Sequence, residues 1–287
     1  MKKLFFTCLF ILSAYSLYYL SSVEYASLDK VYLINLDRSA DRLKKMQEIL
    51  DSIDLPVKFT RFSAIDGMSL TIINEDTDEV LTGSEIYANK LVLNGNYKVI
   101  CSVESQDYMH GSVVWNEFQN RALGELGHAC SSRKIWKEVV ENKYNNVLVL
   151  EDDVFFVKNF SSLFSRSMDN APRDFDILYL NLGNFGRAYK SDIENKYLQP
   201  IMSIFDQFIK NPFWKQARRH VRSAKAYVVS AKGAKKLLEC TKTLPEGVFL
   251  AADVIISKCI TNKDIIAYRS KPELVYGNEE FKSVIGD

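Results

Sequence analysis

The tightest constraint on this chain is Val147-Leu148-Val149-Leu150 followed at once by Glu151-Asp152-Asp153. An unbroken apolar run of this length suits a strand buried on both faces, as in the interior of a parallel sheet. The three carboxylates that follow cannot share that burial unpaired, because an uncompensated charge out of water is too unfavourable. They must meet water, a metal or another cation. In open α/β sheets, ligands bind beyond the carboxyl ends of the strands, which is where this cluster falls. Glu151 and Asp153 can share a loop edge and offer two hard oxygen ligands to Mg²⁺ or Mn²⁺, ions that fill the rest of their shell with water and phosphate oxygens. The same run would also suit a solvated strand end or a helix start, where the helix dipole favours negative charge.

The chain before and after this run alternates strand and helix signals. Val31-Tyr32-Leu33-Ile34 reads as a first buried strand, with Asn35-Leu36-Asp37-Arg38 as the loop at its carboxyl end. Ser39 is placed to cap the next helix, where Leu43, Met46 and Leu50 recur at helical spacing. Val57 to Ile65 reads as a second strand, and strand–helix–strand is the opening of an α/β fold. Residues 68–121 read as an insertion able to reach over the site, with a strand at Lys98 to Val103. A helix near 125–142 carries Leu126, Ala129, Arg133, Trp136 and Val140 on one stripe and leads into the central strand. Further strands are expected at Asp176 to Leu182, Ala226 to Val229 and Asp264 to Arg269. Helices are expected after Ser230 and over 251–260; Phe185 to Trp214 reads as irregular. Gly233, unfavourable inside a helix, points to close packing.

Hydrophobic content of 47% and a net charge of +1 describe an ordinary globular chain with no nucleic-acid footprint. The local basic stretch Lys215 to Lys225 suits a solvated face, or a channel for an anionic substrate. At the N-terminus, Lys2-Lys3 precede the uncharged run Leu4 to Leu20, which is long for a signal-peptide core and just sufficient for a membrane span. Residues 1–28 are expected to be a signal peptide or signal-anchor with a short linker, and residues 29–287 a single domain. The basic flank places the N-terminus in the cytoplasm and the rest outside it or in a lumen. Cys101, Cys130, Cys240 and Cys259 lack zinc-like spacing; disulfides in a lumenal setting and buried free thiols both stay open. Asn159-Phe160-Ser161 would be a glycosylation acceptor in such a setting.

Several motifs occur in one order: VYLINLDRSADR (31–42), AIDG (64–67), GELGHACSSRKIWKEVV (124–140), NNVLVLEDDVFF (145–156), AKAYVVSAKGAKKLL (224–238), AADVII (251–256) and KPELVYG (271–277). Together they resemble glycosyltransferase family 25, the group of lipooligosaccharide-type and procollagen galactosyltransferases, over about residues 31 to 277. The resemblance implies a GT-A-like, Rossmann-like α/β fold with a mixed, mostly parallel sheet flanked by helices. It implies an inverting transfer of a hexose, galactose foremost, from a UDP-sugar to a hydroxyl of a glycan, lipooligosaccharide or protein acceptor, with Mn²⁺ or Mg²⁺ as cofactor. The family's acidic motif falls on Glu151, Asp152 and Asp153, with Glu151 and Asp153 on the metal. Its first-strand motif falls on Asn35, Asp37, Arg38 and Arg42, which with Asp152 would bind the nucleotide sugar. Its late aspartate falls on Asp253.

The chain departs from the family at the paired glycines. Gly127-His128 stands where the family has Gly-Cys, and Ser131-Ser132 where it has Ser-His. His128 lies about one helical turn from the missing histidine and could point to a similar place. The alternative reading is a non-catalytic family member acting as a surface, adhesion or interaction protein.

Inverting transfer needs a neutralised leaving diphosphate, which a metal on Glu151 and Asp153 would supply with help from Arg38 or Arg42. It needs a base for the acceptor hydroxyl, and Asp253, in the apolar stretch Phe249 to Ile256, is the candidate. It also needs water excluded, for which 68–121 and 185–214 are the available walls. The N-terminal run adds the membrane as a partner. It places the protein at a membrane or in the secretory pathway: the ER or Golgi lumen of a eukaryotic cell, or membrane-associated in a bacterium.

Overall fold

The computed structural model describes residues 27–114, 119–181, 214–217, 224–242, 250–270 and 273–277. The apolar run Leu4 to Leu20, Cys8 and the stretch 185–213 lie outside the described residues. In chain order the first half comprises β1 (Lys30–Asn35), α1 (Ala40–Asp51), β2 (Phe59–Ser63), a 3₁₀ turn (Gly67–Ser69), β3 (Thr71–Asn74), β4 (Val80–Thr82), α2 (Gly83–Ala88), β5 (Asn94–Ser102), β6 (Asp107–Val114) and α3 (Gln119–Glu141). The second half comprises β7 (Asn146–Glu151), β8 (Val154–Phe156), α4 (Phe160–Asp169), β9 (Ile177–Tyr179), β10 (Trp214–Ala217), β11 (Ala226–Ser230), α5 (Ala231–Cys240), α6 (Ala252–Thr261), β12 (Ala267–Ser270) and β13 (Val275–Gly277).

Among the described residues, seven strands form the main sheet in the order β10-β12-β9-β11-β7-β1-β2. β1 runs parallel to β2 and to β7, and β9 parallel to β12, while β11 runs against both β7 and β9 and β10 against β12. The period-two alternation of each strand divides its side chains between two cores. Val31, Leu33, Leu148, Leu150, Leu178 and Val228 face α1 and α4, meeting Met46, Leu50, Phe160, Phe164 and Met168. Tyr32, Ile34, Val147, Val149, Tyr179 and Tyr227 face α3, α5 and α6, meeting Leu126, Trp136, Leu237 and Ile256. A sheet covered by helices on both faces explains why β1, β7 and β11 read as nearly unbroken apolar runs.

The described strands of the stretch 68–121 form a second, antiparallel sheet, β4-β3-β5-β6, with the acidic segment 75–79 as the turn between β3 and β4. Ile72, Tyr97, Val99 and Met109 join the α3-side core. A buried ion pair also ties this sheet to the helices: Arg133 on α3 donates to Asp107 at 2.7 Å and also to the Thr241 hydroxyl after α5. That pair explains why Arg133 lies on a buried stripe. Val140, read on the same stripe, faces solvent, and Val139 takes the inward position.

Two further sequence expectations change in detail. Ser39 occupies the start of α1, but its hydroxyl makes no capping bond; its carbonyl instead accepts from the Asn35 amide at 3.0 Å. The strand expected at 264–269 is Ala267–Ser270, and it is followed by β13, which pairs with β8. Ser230 does cap α5, accepting from the Gly233 amide at 3.0 Å. Cysteine pairing is settled as Cys101–Cys130, joining β5 to α3, and Cys240–Cys259, joining α5 to α6. Among the described residues no helix is long and apolar enough to cross a membrane.

Gly233 packs against the backbone before β9, where a Cβ would come within 2.1 Å of the Asp176 carbonyl oxygen. Gly233→Ala should therefore destabilise the protein by about 1–3 kcal/mol despite alanine's better helix propensity, measured by urea unfolding.

Candidate functional site

β1 and β7 run in parallel and end together, and β11 enters where β7 leaves because it runs antiparallel to it. The register pairs Ala226 with Leu150, so Lys225 stands beside Glu151; their backbones are joined by Glu151 N–H to Lys225 C=O at 2.8 Å. This edge gathers Asn35 from β1, Glu151, Asp152 and Asp153 from β7 and its loop, Lys225 from the entrance of β11 and Arg42 from the first turn of α1.

Each carboxylate has a different partner. The buried Asp152 accepts from the Asn35 amide at 2.7 Å and has the Arg42 guanidinium at 3.2 Å. Burial raises the Asp152 pKa above the usual carboxylate value, while Arg42 and Asn35 oppose the rise. Asp153 is paired with the Lys225 ammonium and has Arg42 at 3.6 Å. Its second oxygen, Oδ1, is buried without a hydrogen-bond partner among the described residues. Glu151 has His128 Nε2 at 3.5 Å and Lys225 Nζ at 3.8 Å. Burial raises its pKa, and the charges of His128 and Lys225 act against that. At Lys225, burial disfavours the ammonium, but Glu151 and Asp153 outweigh it and the pKa is raised.

Arg61 and Ser63 fix the loop after β1. The Arg61 Nε donates to the Asn35 side-chain oxygen at 3.0 Å, and its guanidinium also pairs with Asp37. The Arg61 hydrogen bond, and then that from Ser63 at 2.8 Å, hold the exposed Asp37 carboxyl below its usual value. Arg38 turns the other way and pairs with Asp66, whose Oδ1 accepts from Met68 N–H at 3.1 Å to start the 3₁₀ turn. That turn docks on α3. A Cβ at Gly67 would meet the Leu123 oxygen at 1.9 Å, and one at Gly127 the Ile65 oxygen at 2.5 Å. The Ser131 hydroxyl accepts from Ile65 N–H at 2.8 Å. The motifs at 64–67 and 124–132 therefore pack on each other and carry His128 to the acidic edge. Ser132 is fully buried beside Tyr227 instead.

The structure thus brings Asn35, Arg42, Glu151, Asp152 and Asp153 together, sets Asp37 and Arg38 at the rim, and adds Lys225, Arg61 and His128. Lys225 and Arg61 were not legible as site residues: one closes a basic run and the other sits mid-strand, and only sheet register shows where they point. Asp253 lies apart, in the first turn of α6, and has no ion-pair partner among the described residues. On the same side of the sheet lie two buried tyrosines, Tyr179 and Tyr227, whose rings are 6.5 Å apart. The Tyr179 hydroxyl is pushed well up by burial, with Tyr227 and Asp253 adding to the rise. Tyr227 is pushed up to about 12 by burial, partly opposed by the hydrogen bond from the Trp136 indole, while the Glu151 charge adds to it.

The fold is a mixed α/β sheet with three carboxylates and their paired cations gathered where its central strands end, the edge at which open α/β sheets bind ligands. The family model described as "Glycosyltransferase family 25 (LPS biosynthesis protein)" matches residues 28–256, and the chain belongs to that family. It is similar to procollagen galactosyltransferase 2 of Homo sapiens, 25% identical over 264 residues that cover 86% of this chain and 35% of that protein. It is also similar to a glycosyltransferase 25 family member of Drosophila melanogaster, 24% identical over 263 residues covering 87% of this chain and 36% of the relative. A third relative is procollagen galactosyltransferase 1 of Danio rerio, 25% identical over 263 residues, covering 86% and 36%. The chain spans about a third of the length of these relatives.

Asn35→Asp tests the edge without changing shape. It replaces the amide that donates to Asp152 at 2.7 Å by a second carboxylate. It should destabilise the fold by about 2–3 kcal/mol at neutral pH, read by urea unfolding, because a buried charge loses its donor and gains a like charge.

Proposed function

We propose that this chain is an inverting glycosyltransferase of GT-A-like architecture that moves a hexose, galactose foremost, from a UDP-sugar to a hydroxyl of a glycan, lipooligosaccharide or protein acceptor. The observation that carries the reading is the convergence of Asn35, Arg42, Lys225 and the three carboxylates at the carboxyl edge of the sheet, in a member of this family. The strand order, with β11 antiparallel between β7 and β9, supports the GT-A assignment.

In this reading, Asn35, Asp37, Arg38, Arg42 and Asp152 form the nucleotide-sugar wall. Asn35 and Arg42 hold Asp152 in place, and Arg42 offers its guanidinium fork to the diphosphate. The residues present fit a divalent cation: Glu151 and Asp153 converge on one shared positive group, and Asp153 Oδ1 is a buried oxygen with no hydrogen-bond partner among the described residues. No group of three or more His, Cys, Asp or Glu side chains is gathered for an ion among the described residues, so water and the donor would complete the shell. When bound, Mn²⁺ or Mg²⁺ would neutralise charge on the leaving diphosphate. Asp253 takes the proton of the acceptor hydroxyl, and α6 holds it on the tyrosine-lined side of the sheet.

The two disulfides among the described residues support an oxidising compartment, and therefore the lumenal setting that the N-terminal run implies. Asn159 supports the same setting: it is exposed, and its side chain makes no cap bond to α4. The non-catalytic reading rests on Ser132 and its burial in the core; His128 beside Glu151 favours the catalytic one.

UDP release by the full chain over a panel of UDP-sugars, with candidate acceptors and with Mn²⁺ or EDTA, tests the proposal. Asp153→Ala should lower turnover by roughly a hundredfold or more, as loss of a charge-stabilising group does. Asp253→Asn should lower kcat by a similar factor with donor affinity retained. Near-normal turnover in Asp253→Asn would remove the base assignment. A folded protein that binds no UDP-sugar would return the chain to the non-catalytic reading.

A further inference from the structure

Lys225 occupies the place where a cation for the donor would be held. Its Nζ is paired with Asp153 and lies 3.8 Å from Glu151, the two carboxylates assigned above to a divalent ion. The placement is built in. The antiparallel register of β11 sets the Lys225 backbone on that of Glu151 at 2.8 Å. Its stem runs past Gly277 of β13, where a Cβ would meet Lys225 Cε at 3.4 Å. The side chain is only 28% exposed. Among the described residues, three carboxylates face two permanent cations, Arg42 and Lys225, with the His128 ring beside Glu151, so at least two of the three negative charges are already matched. An incoming divalent ion would meet a weakened field and an oxygen already engaged.

A nucleotide diphosphate changes both conditions. It brings oxygens that compete with carboxylates for an ammonium, and it restores negative charge to the edge. We propose that Lys225 is a resident counter-ion that keeps Glu151 and Asp153 closed to a divalent cation until the donor diphosphate arrives, so that metal binding to this chain depends on the nucleotide. Lys225 then passes from the carboxylates to the phosphate oxygens, which neutralises the leaving group from the β11 side while Glu151 and Asp153 become open. It acts as a positioning residue for the ion and as a direct contact of the donor. The inference rests on the reading of this edge as the donor site.

The test is Mn²⁺ binding to the full chain, followed by the electron paramagnetic resonance of the free ion, with and without UDP. UDP binding is measured separately by calorimetry in EDTA. In the wild type, UDP should tighten Mn²⁺ binding by about tenfold or more, the effect of removing one neighbouring positive charge from a partly buried site. Lys225→Met should bind Mn²⁺ about tenfold or more tightly than the wild type without UDP, and bind UDP more weakly in EDTA. Lys225→Arg keeps the charge and should keep the nucleotide dependence. If Lys225→Met fails to fold, Lys225→Gln takes its place in the same comparison, since UDP itself ligates Mn²⁺ and the wild type alone does not isolate the ammonium. Equal Mn²⁺ affinity in wild type and Lys225→Met, or a wild type indifferent to UDP, overturns the inference. UDP binding with no Mn²⁺ binding in any variant overturns it while leaving the donor site standing; absence of UDP binding as well removes the donor-site reading itself.

Discussion

Carboxylates that end a strand buried on both faces have to be neutralised by side chains from other parts of the chain, and the architecture around β7 follows from that requirement. Leu148 and Leu150 anchor one face of the strand, Val147 and Val149 the other. The strand therefore cannot shift to bring Glu151, Asp152 and Asp153 into water. Their partners are delivered instead by three separate elements: Asn35 by the parallel neighbour, Arg42 by the helix that follows it, and Lys225 by the antiparallel neighbour. Removing any one partner leaves a buried charge whose remaining neighbours do not suffice, so the edge behaves as one network and not as independent pairs.

The same edge is reached from the α3 side by backbone contact. Gly67 and Gly127 bring the 3₁₀ turn and the helix to a separation that no side chain would tolerate, and the Ser131 hydroxyl closes the contact. Helix α3 is thereby fixed relative to β7, which sets His128 at 3.5 Å from Glu151. Ser132 lies in the core with Tyr227 and Trp136, whose indole N–H donates to the Tyr227 hydroxyl at 3.2 Å.

Much of this was legible from the residues. β1 and β7 announced themselves as apolar runs because burial on both faces removes alternation, and the acidic end of β7 was readable because charge cannot follow it inside. The order of motifs carried the family. What stayed hidden depends on pairing across the sheet. Lys225 reads as the last residue of a basic run until the antiparallel register sets it beside Glu151, and Arg61 reads as strand filler until it bonds Asn35. The segment 68–121 carries a weak sequence signal because its described strands pair with each other and mix exposed with buried positions: Val80 and Tyr108 are open to solvent while Ile72 and Val99 are buried. Four cysteines allow several pairings, and only proximity chooses among them.

Both disulfides lie on one side of the main sheet. Cys101–Cys130 joins the small sheet to α3, and Cys240–Cys259 joins α5 to α6, whereas α1 and α4 on the opposite side carry no cross-link among the described residues. An unfolded chain that keeps its disulfides therefore remembers one layer and forgets the other. Loops spanning 29 and 19 residues stay closed around the parts that will cover the tyrosine-lined face, lowering the entropy lost when that layer reassembles. The layer that supplies Arg42 has no such tether among the described residues, so it is held by packing and ion pairing alone and should be the first to loosen under denaturing stress.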